Sequence, residues 1–568
     1  MNYLRLLAEK FPTIESVTNE LVNLRAIMHL PKGTEYYFSD LHGEHEAFIH
    51  LLRSGSGVIR EKIDALFRSS MMEEDRSALA ALVYYPTTQM ARARKTEQNY
   101  ADWCAITINH LVIVACEVSA KYTRSKVRRT IDPRYAGLIE ELMNTDGTDV
   151  DKRTYYREMI ETVVQVGCAE GLIKALCHLI QQMTVDQLHI IGDIFDRGPR
   201  ADRILDELMK HHDVDIQWGN HDVAWIGAMC GNPVCLMSVL RIAISYNGFD
   251  CLEDGYGINL RPLSMFAATT YANDPCERFM PHVLDENEFD PVDPALAAKM
   301  HKAVTVMMFK LEGQLICRHP EYEMEGRLLL DKMNLEKGTI QIGGKEYPLT
   351  DTNFPTVDPK DPYALTEEEQ NLLDGFQASF RHSERLRTHL DFIMSHGAMY
   401  KVANNKLLYH GCILVEEDGS LTEVELGGSR HKGRALLDYL EMHVRRAYHS
   451  EAPDSVDLIW YLWCGARSPL FGKDRMTSFE RYFVDDKALQ KEHMNPYYKH
   501  YDQPEFCEAI LREFGLDPAC SHIVNGHVPV KHGDSPIKAG GRLFVIDGGI
   551  SKAYRSKTGI AGYTLISS

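Results

Sequence analysis

The sequence predicts an α/β fold whose core is interrupted by two large, mainly helical segments. Five short apolar runs, each followed by a polar cluster, are typical of strands buried on both faces. One stretch between two of these runs has helical spacing, and two long segments read as mainly helical. We therefore expect a core formed by 1–50, 185–225 and 400–568, a helical insertion over 51–184, and a mixed, mainly helical insertion over 226–399.

The predicted strands follow one another along the core segments. They lie at 36–38, 188–191, 214–218, 407–409 and 523–524. Between the second and third, "ADRILDELMKHH" repeats apolar residues at helical spacing, which indicates a β-α-β unit. In such sheets ligands bind beyond the carboxyl ends of the strands, where all five polar clusters lie.

The second insertion contains two local signals of its own. The stretch "GTIQIGGKEYPL" predicts a β-hairpin, and the capping box formed by Thr366 and Glu369 predicts the start of a long helix. The first insertion is expected to be almost wholly helical.

Composition narrows the class of protein. A chain of 568 residues is too long for one simple core, and its formal net charge of −19 argues against general binding to nucleic acid or anionic membranes. The beginning of the chain does not read as a secretory signal, and the apolar run "LVIVACEV" is much shorter than a membrane span. Thirteen cysteines without a C-x-x-C pair fit reduced thiols, so we expect a cytoplasmic protein with neither nucleic-acid nor membrane partners.

The polar clusters supply carboxylate, imidazole and amide oxygen donors. The stretch "GDIFDRG" is the most specific, because it concentrates two carboxylates and an arginine within seven residues. Together the clusters could hold two divalent cations. Because they contain nitrogen and oxygen donors and no thiolate, they favour a site for Mn²⁺, Fe or Zn²⁺ over a structural zinc site. The candidate residues are Asp40, His42, Asp193, Asp196, Arg197, Asn220, His221, His410 and His527.

One ligand position has an alternative. His396 also precedes a glycine and could replace His410 as a metal ligand. It follows the helical run "LRTHLDFI", however, so Gly397 is better interpreted as a helix C-cap. We therefore favour His410.

The motifs D-x-H-G, G-D-x-x-D-R-G, G-N-H-D, a strand-borne H-G and a final G-H resemble those of the calcineurin-like metallophosphatase superfamily. Within it, "YLWCGARSPLFGKDR" and the block from "IVNGHVPV" to "GIAGYTLI" resemble class 3 fructose-1,6-bisphosphatases. The resemblance covers most of the chain and implies a two-sheet α/β/β/α sandwich with two large insertions. It also implies a chain that continues well past "IAGYTLISS".

The same resemblance implies a dinuclear site, with Mn²⁺ as the expected metal. Asp40 and His42 would hold one cation, Asp193 would bridge both, and the second would be completed by Asn220, His410 and His527. A bridging hydroxide would attack phosphorus in line and convert fructose 1,6-bisphosphate to fructose 6-phosphate and phosphate, a step of gluconeogenesis.

The remaining roles implied by the resemblance concern the leaving group and the phosphates. His221 would protonate the departing alkoxide, Asp196 would orient its imidazole, and Arg197 would grip phosphoryl oxygens. A basic C-terminal stretch in this acidic protein, together with one arginine before it, is either a cationic wall that holds the substrate phosphates or a solvated basic surface. These candidates are Arg467, Lys531, Lys552, Arg555 and Lys557.

Two alternatives use the same ligands. A protein serine/threonine phosphatase or a dinucleotide polyphosphate hydrolase would share the metal centre, and a non-catalytic scaffold would keep the fold for binding alone. The scaffold is disfavoured because no ligand in the motifs is missing. We also expect a homo-oligomer.

Overall fold

The fold is mixed α/β and contains two five-stranded sheets. The computed structural model describes residues 2–145, 150–282, 293–552, 559 and 562–568. Its strands are β1 (Glu35–Phe38), β2 (Gln187–Ile190), β3 (Val214–Gln217), β4 (Met333–Asn334), β5 (Thr339–Ile342), β6 (Lys345–Pro348), β7 (Gly397–Ala398), β8 (Tyr400–Ala403), β9 (Lys406–Tyr409), β10 (Val424–Leu426), β11 (Ser429–His431), β12 (His522–Asn525), β13 (Ile537–Lys538), β14 (Leu543–Val545) and β15 (Leu565–Ser567).

Helices account for most of the remaining regular structure. Those before β2 are α1 (Asn2–Lys10), α2 (Ile14–Ile27), α3 (His45–Ser54), α4 (Val58–Phe67), α5 (Glu73–Tyr84), α6 (Pro86–Thr96), α7 (Tyr100–Ser119), α8 (Arg124–Thr130), α9 (Ala136–Asn144), α10 (Val150–Gln165) and α11 (Ala169–Thr184). Those after it are α12 (Ala201–Leu208), α13 (Asn220–Met229), α14 (Pro233–Ser245), α15 (Arg261–Thr270), α16 (Pro294–Arg318), α17 (Glu367–His382), α18 (Glu384–His396), α19 (Gly433–Ser450), α20 (Pro453–Cys464), α21 (Ser478–Phe483), α22 (Tyr497–His500) and α23 (Pro504–Glu513).

The five predicted strands correspond to β1, β2, β3, β9 and β12, and they belong to two sheets. The first sheet has the order β15-β1-β2-β3-β7, and the second has the order β13-β14-β12-β9-β8. In the second sheet β12 runs parallel to both β9 and β14, whereas β8 and β13 are antiparallel edge strands. The predicted β-α-β unit is confirmed, with α12 between β2 and β3.

Side chains associated with both sheets meet in one apolar cluster. Its fully or almost fully buried members are Tyr37, Ile191, Leu408, Val524 and Ile546. Each such side chain stabilises the fold by about 1.5–3 kcal/mol when it leaves water. This packing holds the strands that precede the polar clusters against one another.

The chain divides into two compact units. The first comprises Met1–Tyr36, Ile49–Leu188 and Ile566–Ser568, and the second comprises Tyr37–Phe48 and His189–Leu565. In the first unit, α4–α11 share one apolar core, and the described residues of 51–184 contain no strand. All the described candidate site residues lie in the second unit.

The run "LVIVACEV" lies within the 20-residue helix α7. By length and composition alone, α7 could cross a membrane, as could α10 and α11 if that bent pair formed one span. In the structure, 44% of the most apolar window of α7 is buried inside the protein.

The local signals in the second insertion are confirmed. β5 and β6 form an antiparallel hairpin, and its turn residues Gly343 and Gly344 both have positive φ. Thr366 and Glu369 form the reciprocal capping box at the start of α17.

Candidate metal centre

Asp193 is shared by two groups of potential metal ligands. Its Oδ2 lies 3.8 Å from His42 Nε2 and 3.4 Å from His410 Nε2. One group consists of His42, Asp193 and His221, and the other of Asp193, His410 and His527, with the donor atoms of each group within 4.8 Å of one another. A carboxylate in both groups is suited to bridge two cations, because each of its oxygens can serve as a ligand.

Two imidazoles each direct one ring nitrogen toward this carboxylate. His410 Nδ1 donates to the carbonyl oxygen of Ile191 at 2.8 Å, and His527 Nε2 donates to that of Phe471 at 3.0 Å. The opposite nitrogens, His410 Nε2 and His527 Nδ1, lie only 3.2 Å apart. Two lone pairs at this distance repel each other unless a proton or a metal cation lies between them. The donor orientation therefore fits a metal.

The other predicted ligands lie beside these groups. Asp40 Oδ1 is 3.9 Å from His42 Nε2, and Asp40 Oδ2 accepts hydrogen bonds from Ser39 Oγ and from the backbone N–H of His527. Asn220 lines the same cavity as Asp193, and its Oδ1 is buried without a hydrogen-bond partner among the described residues. A buried orphan acceptor is costly, and a cation would satisfy it.

His396, the alternative to His410, lies elsewhere. His396 is the exposed last residue of α18, and its ring contacts Ser395 and Phe392. Gly397 is the C-cap of this helix. His410 is fully buried and occupies the position beyond β9.

The backbone that carries these side chains is strained. Left-handed φ values occur at six candidate residues: Asp40, His42, Asp193, Asp196, Arg197 and His527. Such conformations cost on the order of 1–3 kcal/mol each and persist where the surroundings fix them. Two glycines permit the close approach, because a Cβ on Gly219 would lie 2.1 Å from Asp193 Oδ1 and one on Gly526 would lie 2.5 Å from Asp40 Oδ2.

Asp222 also belongs to the site, although the sequence motifs gave it no role of its own. Its fully buried carboxylate accepts hydrogen bonds of 2.9 Å from the backbone N–H groups of Asp193, Ile194 and Gly219. It thereby joins the loop after β2 to the start of α13. The sequence signal was its N3 position in a helix that begins at Asn220.

His221 and Arg197 form the side of the site next to the ligands. His221 Nδ1 lies 2.7 Å from Asp196 Oδ2, while Trp225 Nε1 donates to the other oxygen of Asp196 at 2.9 Å. The Arg197 guanidinium contacts His221 Nε2 at 3.2 Å and His42 Nε2 at 2.9 Å. A carboxylate-oriented imidazole beside a guanidinium can transfer a proton and bind an anion.

Burial and charge shift the pKa values of the cluster. Burial raises the pKa of Asp40 to about 6. Although burial opposes both shifts, the pKa of Asp193 lies well below its usual range and that of His410 rises to about 10, chiefly because the two side chains attract each other. Burial and the nearby His410 lower the pKa of His527 to about 3. The cluster thus stabilises positive charge between Asp193 and His410.

Five of the predicted metal and catalytic residues line a large cavity, whereas the described candidates for substrate cations, Arg467, Lys531 and Lys552, do not line it. The cavity of about 880 Å³ is bordered by Asp193, Arg197, Asn220, His221 and His527, among others. A volume of this size is typical of small-molecule sites.

The predicted substrate residues have other surroundings. Arg467 lines a separate small pocket, and its Nη2 lies 3.4 Å from Glu323. Lys531 is exposed, and the backbone N–H of Lys552 donates to Glu44. The remaining two, Arg555 and Lys557, lie outside the described residues.

The chain is similar to known proteins over its whole length. Residues 2–568 match the family described as Firmicute fructose-1,6-bisphosphatase. The chain is 50% identical over 573 aligned residues to a Clostridium acetobutylicum protein named "Fructose-1,6-bisphosphatase class 3". The alignment covers 100% of this chain and 86% of that relative. Relatives of the same name from Clostridium tetani and Clostridium botulinum strain Langeland are 49% and 50% identical with the same coverage. No solved structure matches significantly.

Proposed function

Because this chain belongs to the Firmicute fructose-1,6-bisphosphatase family, we propose that it hydrolyses the 1-phosphate of D-fructose 1,6-bisphosphate. The products are fructose 6-phosphate and phosphate, and the reaction serves gluconeogenesis. The observation that carries the proposal is the position of Asp193, shared by two groups of ligand atoms in a cavity that also contains His221 and Arg197.

The donor set supports two divalent cations, and Mn²⁺ suits its nitrogen and oxygen atoms. Asp40 and His42 would hold the first cation, Asp193 would serve both, and the second would be completed by Asn220, His410 and His527. When bound, such cations activate water near neutral pH and neutralise phosphoryl charge.

His221 is positioned to act as the general acid. Asp196 accepts a hydrogen bond from Nδ1–H, so Nε2, which accepts from Arg197 in this structure, is the nitrogen that would carry the proton to the departing sugar oxygen once the ring is protonated. Trp225 fixes the far side of Asp196, so the imidazole keeps its orientation.

Arg197 is positioned to bind the phosphoryl group. Its Nη1 donates to His42 Nε2, the same lone pair that would hold a cation. The two interactions exclude each other, so with a cation held by His42 this guanidinium nitrogen of Arg197 would be able to donate to the reacting phosphate. A planar guanidinium matches the oxygen geometry of a phosphoryl group.

Two sheets held together by one apolar cluster support a metallophosphatase-type α/β/β/α sandwich. In this arrangement 1–50, 185–225 and 400–568 form the core, whereas 51–184 and 226–399 are insertions. The net charge of −19 argues against nucleic-acid and anionic-membrane partners, and the cysteines without a C-x-x-C pair support a cytoplasmic enzyme. We further propose a homo-oligomer, to be tested by analytical ultracentrifugation.

The test is phosphate release by protein that has been stripped with chelator and then resupplied with Mn²⁺. Fructose 1,6-bisphosphate is compared with fructose 6-phosphate, a dinucleotide tetraphosphate and a phosphopeptide. Metal-dependent release confined to the bisphosphate is expected. Activity only on the phosphopeptide or the dinucleotide would refute the sugar substrate, and metal binding without any activity would indicate a scaffold.

A further inference from the structure

Arg241 is a cation in the wall of the cavity that contains His221, and none of the carboxylates that the structure describes pairs with it. It lies on α14, where Nη1 donates to the hydroxyl of Tyr482 at 3.1 Å. Its Nε is buried without a hydrogen-bond partner, and among the described residues no carboxylate forms an ion pair with it. A partly buried guanidinium with an unpartnered Nε is costly unless an anion completes it.

Three other cations around the same cavity, Lys473, Arg481 and Arg278, lie near carboxylates. Lys473 Nζ lies 2.9 Å from Glu492, and Arg481 lies 3.4 Å from the same carboxylate. Arg278 is half-exposed and only 3.7 Å from the exposed Asp485. Unlike these three cations, Arg241 has no carboxylate partner among the described residues. Arg278 has the longest distance to its carboxylate, so it is the next candidate to bind an anion.

A hydrogen-bond relay fixes the orientation of Arg241. His301 Nδ1 donates to the carbonyl oxygen of Phe279 at 2.9 Å, so its Nε2 accepts from the Tyr482 hydroxyl, also at 2.9 Å. The Tyr482 oxygen then accepts from Arg241. One guanidinium nitrogen is thus held by protein, while the other donors have no partner among the described residues and match the geometry of a phosphate.

We propose that Arg241, assisted by Arg278, binds the distal phosphate of the sugar bisphosphate and so determines substrate specificity. This inference rests on the proposed function, because it requires a substrate with a second phosphate. Arg197 and the ligand cluster serve the reacting phosphate in the same cavity, and Arg241 supplies a separate cationic position within it. Charge-assisted hydrogen bonds to phosphate are roughly twice as strong as neutral ones, and a guanidinium can donate two of them in parallel.

The test compares two substrates that differ only in the distal phosphate, fructose 1,6-bisphosphate and fructose 1-phosphate, in Mn²⁺-loaded enzyme. Arg241→Met should raise the KM for the bisphosphate by about 10- to 100-fold, as expected for loss of a charged hydrogen bond, with kcat little changed. Its kcat/KM for fructose 1-phosphate should stay within about twofold of wild type. Arg512→Met removes an exposed arginine that pairs with Glu508, and it controls for the change in net charge.

Arg278→Met provides a second test that does not depend on a buried position. Its KM for the bisphosphate should rise by a smaller factor, again without an effect on fructose 1-phosphate. If Arg241→Met lowers kcat/KM equally for both substrates, or for neither, the proposed role of Arg241 is overturned. A wild-type enzyme that does not prefer the bisphosphate would instead refute the proposed function, since that result involves no variant.

Discussion

His221 and Asp196 form a buried pair in which Nδ1 lies 2.7 Å from Oδ2. Because the Asp196 carboxylate accepts a hydrogen bond from Nδ1–H of His221, the tautomer of the neutral ring is fixed. Its Nε2 therefore faces Arg197 and the cavity. The same imidazole also belongs to the ligand group of His42 and Asp193. The position of His221 is therefore compatible with a proton donor and with a metal ligand, and the two roles have different consequences.

His221→Ala separates these roles. As a general acid, His221 contributes about 10²–10⁴-fold, so kcat should fall by that order while the metal content per chain stays unchanged. The measurement is kcat on fructose 1,6-bisphosphate together with metal analysis by atomic emission. A variant that loses one metal would identify His221 as a ligand, and unchanged turnover would exclude it as the acid.

Asp193→Ala should lose both metal and activity. Its carboxylate is common to both ligand groups, so its removal weakens two positions at once. Metal analysis after gel filtration is the measurement. Asp215→Ala is the matched control, because Asp215 is a buried carboxylate that pairs with His189 and Lys401. If Asp193→Ala retains the wild-type metal content, the shared ligand is disproved.

Much of the metal centre could be predicted because its residues directly follow strands. A short apolar run fixes where a strand ends, and parallel neighbours bring such ends to one edge of a sheet. Within each sheet this rule gives the positions of Asp193 after β2 and of His410 after β9, whereas the packing that brings the two sheets together at these residues could not be predicted from it. It also explains why the helical run before His396 excluded that residue.

The cations around the cavity could not be predicted in this way. A basic stretch in the sequence shows neither which charges are paired nor which side chains reach the cavity. Arg241 interrupts the apolar helix sequence "PVCLMSVLRIAIS", which reads as a core helix with one tolerated arginine. The role of Asp222 was equally hidden, because its partners include two backbone N–H groups nearly thirty residues away.

A buried ion pair in the second insertion gives a prediction about stability. Lys310 Nζ lies 2.7 Å from Glu369 Oε2, and both side chains are at most 1% exposed. Glu369→Gln leaves the lysine charge buried and uncompensated, so the free energy of unfolding should fall by about 3–5 kcal/mol. Urea denaturation followed by circular dichroism measures the change.

Two further variants make that prediction specific. Glu367→Gln changes an exposed residue in the first turn of the same helix, and its stability should stay within about 0.5 kcal/mol of wild type. The double variant Lys310→Met, Glu369→Gln removes both charges, keeps an acceptor for the capping box and should recover most of the loss. If Glu369→Gln is as stable as Glu367→Gln, the pair does not stabilise the fold.

His301 gives a prediction about the pH dependence of stability. Burial lowers its pKa from 6.5 to about 3, and its ring is held between the Phe279 carbonyl and the Tyr482 hydroxyl. Between these two pKa values the unfolded chain binds a proton that the folded protein does not. The free energy of unfolding therefore falls as the pH drops below 6.5 and recovers as the pH rises.

His301→Phe keeps a ring but removes this titration. Between pH 7.5 and pH 5.5, wild type should lose about 1.4 kcal/mol more unfolding free energy than the variant. Urea titrations of chelator-treated protein at the two pH values measure the difference, in which the contributions of shared groups cancel. His29→Phe, a change at an exposed histidine, should behave as wild type. Parallel pH profiles for wild type and His301→Phe would show that His301 also takes up its proton in the folded protein.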